Sequence, residues 1–196
     1  MHFKPLSLLF FIITFSISTG ALSHTGVDAG SHHGSFIQGL LHPLSGSDHL
    51  AAMVAVGIWS AVALRSLWQA PLSFVLLLTI GALAGFSGFK PPAVESIIGA
   101  SMLILGLLVA ARKGVPVTAV MALVGVFAFF HGVAHGTELA AGERMATLMG
   151  MVMTTASLHL AGVALGHFVM RQRRWLSRVV GVSVAVLGGY TLLQVV

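Results

Sequence analysis

Two short polar segments in this chain carry side chains of the types that commonly bind metal ions in proteins. The first, at 42–49, holds His42, Asp48 and His49 among proline, serine and glycine. The second, at 129–138, has three more such groups spaced i, i+4 and i+7, on one face of a helix: His131, His135 and Glu138. Imidazole and carboxylate together suit nickel, cobalt, zinc and copper, whereas magnesium and calcium sites are built mainly from oxygen ligands. The chain has no cysteine, so thiolate metal sites and cysteine catalysis are excluded.

The chain around these segments is strongly apolar. Of its 196 residues, 57% are hydrophobic and only 8% are charged, against about a quarter charged in a soluble domain. We therefore expect a polytopic membrane protein whose surroundings are the lipid bilayer. A charged group inside a span costs roughly 2.5–3.5 kcal/mol, so the buried polar groups are expected to serve a function. The basic residues are scattered over short loops and no nucleotide-binding loop is present, so neither nucleic acid nor nucleotide is an expected partner.

Hydrophobicity predicts an all-α fold, a compact bundle of six transmembrane helices that fills residues 36–196. Each span is near or above the roughly 20 residues that cross the hydrocarbon core. The first is expected to be a broken helix, because Pro43, Ser45, Gly46 and Ser47 interrupt it where the polar groups cluster. The predicted spans are 36–64, 70–89, 92–112, 115–135, 145–169 and 175–195.

The N-terminus has the pattern of a secretory signal peptide at 1–23, with a short basic start and an apolar stretch before small residues. Cleavage after Ser23 would make His24 the first residue, and its α-amine and imidazole could chelate one metal ion. A histidine-rich tail follows at 24–35, a composition typical of metal binding. The alternative is an uncleaved first anchor.

The basic residues also predict the orientation. With the mature N-terminus outside, seven basic residues fall in inner loops and two in outer loops, in agreement with the positive-inside rule. This topology places the two polar segments towards the outer face and His159 near the middle of the fifth span. His159 could be a station on a metal path, or it could only hydrogen-bond a neighbouring helix. Met53 could be a soft metal ligand or could only pack in the core. Glu95 could belong to the site or could be a carboxylate that the dipole of a helix N-terminus favours.

The first polar segment and the residues after it resemble one signature of the HupE/UreJ family of membrane metal permeases: His42-Pro43-x-x-Gly46-x-Asp48-His49-x-x-Ala52-Met53-x-x-x-Gly57. The second polar segment resembles the other signature of that family: Phe130-His131-Gly132-x-Ala134-His135-Gly136-x-Glu138. The similarity extends over essentially the whole chain. It implies a multi-pass protein of the bacterial inner membrane, with a periplasmic mature N-terminus, that imports Ni²⁺ or Co²⁺.

Residues and resemblance together predict a secondary transporter rather than an enzyme, with a divalent metal ion as its cargo and no prosthetic group. Nickel or cobalt is the expected metal, and zinc and copper stay open because selectivity depends on geometry. Two alternatives remain, a membrane-embedded metalloenzyme and a metal sensor or assembly partner that binds without transporting. Nothing in the sequence indicates the oligomeric state. The predicted metal-binding residues are His24, His42, Asp48, His49, His131, His135, Glu138 and His159.

Overall fold

The computed structural model describes residues 34–138 and 144–195, and every regular element among them is helical. The predicted signal peptide at 1–23 and the tail residue His24 lie outside the described residues. Seven α-helices and one π-helical turn follow in order: α1 (Gly34–Ser45), α2 (Ser47–Ala63), α3 (Gln69–Phe86), α4 (Val94–Ala111), α5 (Val117–Glu138), α6 (Arg144–Leu165), the π turn (Gly166–Met170) and α7 (Arg174–Val195).

Helices α3 to α7 are each long and apolar enough to cross a membrane, and α1 with α2 makes a sixth, broken span. The axes of α1 and α2 differ by 80° across the single residue Gly46, whose backbone is extended (φ −99°, ψ 121°). The prediction of an all-helical membrane bundle with a broken first span is confirmed. The break is narrower than predicted, because Pro43 remains inside the last turn of α1.

The outer stripe of α3 shows how the bundle meets the bilayer. Leu72, Leu76 and Ile80 recur every fourth residue, and more than half of each side chain is exposed. A row of exposed apolar side chains on each helix would promote aggregation in water, whereas in a membrane it faces lipid tails. This is a multi-pass membrane protein.

Glycines determine how closely the helices approach each other. Helix α3 packs along α5, and both halves of the broken span pack along α6. A Cβ atom at Gly132 of α5 would overlap the Leu78 carbonyl oxygen of α3, and one at Gly57 of α2 would overlap the His159 carbonyl oxygen of α6. Such small residues let helices pack closely in membranes. The close packing places α5 and α6 next to the break at Gly46.

Candidate metal centre

The break in the first span brings the end of α1 against the last turns of α5. The His42 Nε2 and His135 Nδ1 atoms share a hydrogen bond of 2.8 Å, and His42 Nε2 lies 3.6 Å from Glu138 Oε2. Helix α5 continues through Glu138, so the i, i+4, i+7 face predicted for this segment exists. One ligand atom from each of these three residues lies within 4.8 Å of the others, which is close enough for them to hold a single metal ion.

A second group of rings lies on the more buried side of this set. The centroid of the His49 ring is 4.4 Å from that of His135 and 5.6 Å from that of His131. His131 and His135 are completely inaccessible to solvent. His135 belongs to both groups, since its Nδ1 atom is bonded to His42 while its ring lies beside His49. We call these four histidines, together with Asp48 and Glu138, the histidine cluster.

The hydrogen bonds of the buried rings fix which nitrogen carries the proton. His49 Nδ1 donates to Asp48 Oδ1 at 3.0 Å, and His131 Nδ1 donates to the Phe127 carbonyl oxygen at 2.9 Å. In a neutral imidazole whose Nδ1 donates a proton, Nε2 keeps a free lone pair. A metal-binding histidine typically donates its other N–H to a carboxylate or a backbone carbonyl in this way.

These bonds leave the Nε2 lone pairs of His49 and His131 open, and the same atom of His135 is open when its Nδ1 donates to His42. His49, His131 and His135 each have a buried Nε2 atom that accepts no hydrogen bond within the part of the chain that the structure describes. Leaving a buried polar group unsatisfied costs about 1–3 kcal/mol, so native proteins rarely do it without a reason. A divalent ion bound by these nitrogens would remove that penalty.

His159 lies apart from the cluster and has the same arrangement. Its Nδ1 atom donates to the Met53 carbonyl oxygen at 2.7 Å, and its buried Nε2 atom has no partner among the described residues. The ring of Phe74 lies between the cluster and His159. Its centroid is 5.7 Å from that of His131 and 4.9 Å from that of His159. Met53 thus contributes a backbone carbonyl, and its side chain is fully buried in the apolar core.

Sequence reasoning missed Phe74, because a phenylalanine inside an apolar span gives no signal of its own. It also left Glu95 open between two explanations. Glu95 is exposed and lines a surface pocket of about 280 Å³ that also reaches Glu138. Lys90 lines the same pocket, but the two carboxylates outnumber its single ammonium group, so the pocket could attract a cation towards the more exposed residues of the cluster, His42 and Glu138.

The described residues form a helical multi-pass membrane protein in which a broken span and a neighbouring helix enclose a cluster of imidazoles and carboxylates. The chain belongs to the HupE / UreJ family, since residues 12–191 match the family described as HupE / UreJ protein. It is also 34% identical over 180 residues to the protein named Protein HupE from Rhizobium leguminosarum bv. viciae, a match that spans 90% of this chain and 93% of that relative. No solved structure matches the chain. The resemblance seen in the two polar segments is confirmed.

The bond between Asp48 and His49 predicts the effect of one substitution on metal binding. Asp48→Asn should weaken Ni²⁺ binding by the purified protein by about 10–100-fold, the usual cost of losing a carboxylate that orients a metal-binding histidine. An amide is uncharged and can present its NH2 group to the ring as well as its oxygen, so it holds the proton of His49 on Nδ1 less firmly than the carboxylate does. Equilibrium dialysis against Ni²⁺ measures the affinity. Ser45→Ala is the control, because that exposed hydroxyl donates only to the His42 carbonyl oxygen; equal losses in both variants would contradict the assigned role.

Proposed function

We propose that this protein is a permease that moves a divalent transition-metal ion, nickel or cobalt, across the bacterial inner membrane. The observation that carries this proposal is a set of buried Nε2 atoms that have no hydrogen-bond partner among the described residues, on His49, His131, His135 and His159. Because each Nδ1 of this set is engaged in a hydrogen bond, the rings are oriented before any ion arrives. Membership of the HupE / UreJ family supports the choice of a metal ion as cargo.

The order of these groups along the bundle supports a stepwise path. The ion would first meet the pocket between Glu95 and Glu138, and then His42, His135 and Glu138. From there it would pass the buried Nε2 atoms of His49, His131 and His135 one after another. His135 takes part in both steps, because its Nδ1 faces His42 and its Nε2 is one of those buried atoms.

Beyond this cluster the path would narrow at Phe74, whose ring contacts both His131 and His159. Phe74 is fully buried and apolar, so a hydrated ion could not pass it without a rearrangement of the helices. His159 is the next metal-binding group after this constriction. A closed apolar contact between two sets of ligands is what a carrier needs to prevent leakage of other ions.

We further propose that the histidine cluster faces the periplasm and that a cleaved signal peptide exposes His24 there as a first capture site. The supporting observation is the positive-inside pattern, since the basic residues of the predicted inner loops lie near the ends of α2, α4 and the π turn, away from the cluster. A membrane potential then favours entry of a divalent cation by about 4.6 kcal/mol per 100 mV. No enzymatic activity and no prosthetic group are part of this proposal.

Metal uptake into proteoliposomes tests the proposal. We expect the native protein to accumulate Ni²⁺ or Co²⁺ in preference to Zn²⁺ and Cu²⁺, and His135→Ala to reduce accumulation at least tenfold because it removes the ligand shared by both positions. Leu76→Ala is the control, since that apolar side chain is exposed on the outer stripe of α3 and belongs to neither metal position. Tight binding of metal without accumulation inside the vesicles would overturn the proposal of a permease. It would favour a metal sensor or a metalloenzyme instead.

His159→Asn separates transport from binding. The asparagine amide can still donate to the Met53 carbonyl oxygen, so the contact between α2 and α6 is kept while the open ring nitrogen is lost. We expect Ni²⁺ affinity of the cluster to stay within twofold of the native value and uptake to fall about tenfold or more. Uptake equal to that of the native protein would show that His159 serves only as a hydrogen-bond donor.

A further inference from the structure

The end of the bundle opposite the histidine cluster holds a pocket of about 460 Å³. Its lining combines three small or apolar residues at the ends of α2 and α4 with four arginines. The arginines come from three separate parts of the chain, namely the end of α4, the end of the π turn and the first turns of α7: Arg112, Arg171, Arg174 and Arg178.

Arg112 is held in this pocket by its backbone and by its side chain. It ends α4 in the left-handed conformation (φ 51°), which is uncommon for a residue other than glycine. Its guanidinium donates to the Met170 carbonyl oxygen at 3.1 Å and to the Arg171 carbonyl oxygen at 3.2 Å. These bonds join the end of α4 to the end of the π turn. They neutralise no charge, because both acceptors are backbone carbonyls.

The positive charge of the pocket has no counter-charge within the part of the chain that the structure describes. The acidic residues of that part are Asp48, Glu95 and Glu138, and none of them lines the pocket. Burial, together with the positive charges of Arg174 and Arg171, lowers the pKa of the Arg112 guanidinium below its ordinary value. Four guanidinium groups around one cavity repel one another, and a bound anion would relieve that repulsion.

We propose that this arginine pocket binds a phosphate-bearing anion, and that the anion is the headgroup of an anionic phospholipid. Guanidinium groups bind phosphate oxygens in pairs and with fixed geometry. The pocket lies where α4 ends and α7 begins, at the level where membrane-spanning segments meet the headgroups. Basic pockets between transmembrane helices are known to accept such headgroups. Binding of a headgroup in this pocket does not require that the protein transports a metal ion.

A second explanation of these arginines is that they only orient the protein in the membrane. That role requires basic residues near the span ends but no particular arrangement. Arg173 offers the comparison, because it is exposed and lies between Arg171 and Arg174 in the sequence but does not line the pocket. A lipid site predicts different effects of neutralising Arg173 and the pocket arginines, whereas an orientation signal predicts equal effects.

The test uses the full chain, purified in detergent and stripped of lipid. Phosphatidylglycerol should raise the thermal midpoint of the native protein by about 5 °C relative to phosphatidylcholine. We expect the double variant Arg174→Gln, Arg178→Gln to lose this shift and Arg173→Gln to keep it. An unchanged helical circular dichroism spectrum shows that each variant is folded, and Arg178→Gln alone, with a smaller loss of the shift, replaces the double variant if the latter does not fold.

Equal shifts in all variants would overturn the pocket as a binding site. A second arm adds inorganic phosphate without lipid. If phosphate alone produces a shift that depends on Arg174 and Arg178, and phosphatidylglycerol adds nothing, the ligand is a free phosphate-bearing anion and the lipid assignment is wrong. No shift with either ligand would contradict the proposal as a whole.

Discussion

The hydrogen bond between Asp48 Oδ1 and His49 Nδ1 occupies space that a side chain at residue 46 would need. A Cβ atom at Gly46 would lie 2.8 Å from each of these two atoms, closer than packed side chains approach. The same residue carries the extended backbone between α1 and α2, and that 80° bend turns the end of α1 towards α5. One glycine therefore allows both the orientation of His49 and the contact of His42 with His135.

The rest of the bundle keeps the two innermost rings of this cluster, those of His131 and His135, away from solvent. Helices α3 and α5 pack backbone to backbone at Gly81 and Gly132, which leaves His131 and His135 fully buried. Burial makes an Nε2 atom without a hydrogen-bond partner costly, because that atom has given up its hydrogen bonds to bulk water. An ion that binds there gains from rings that are already oriented, and the protein loses a penalty that it otherwise carries. The buried Nε2 atoms that cost the empty protein stability are therefore the same atoms that would favour binding of a metal ion.

Much of the fold could be predicted from the sequence, because the number and the length of the apolar stretches determine how many transmembrane spans the chain can form. The common face of His131, His135 and Glu138 followed from helical periodicity alone. The contact between His42 and His135 did not, since it joins residues 93 apart and depends on the angle at Gly46. Spacing indicates which residues share a helix face, but it carries no information on how two helices cross.

The residues that sequence reasoning missed had ordinary local patterns. Phe74 looks like any apolar residue of α3, and only its contacts with His131 and His159 distinguish it. The arginines near the span ends fitted the charge pattern of membrane orientation, and the meeting of four of them around one cavity depends on how α4 and α7 pack. The break at Gly46 was predicted to be wider, because proline usually interrupts a helix. In the structure α1 continues past Pro43 and ends two residues later, at Ser45.

X-ray absorption at the nickel edge, on the purified full chain loaded with one equivalent of Ni²⁺, tests the central claim most directly. The three residues whose ligand atoms lie within 4.8 Å of one another predict a first shell with imidazole nitrogens from His42 and His135, at about 2.0–2.1 Å, beside a carboxylate oxygen from Glu138. His42→Ala should lower the nitrogen count by one. A shell of oxygen ligands alone, or a nitrogen count unchanged by substitutions at both His42 and His135, would contradict a metal centre at the break of the first span.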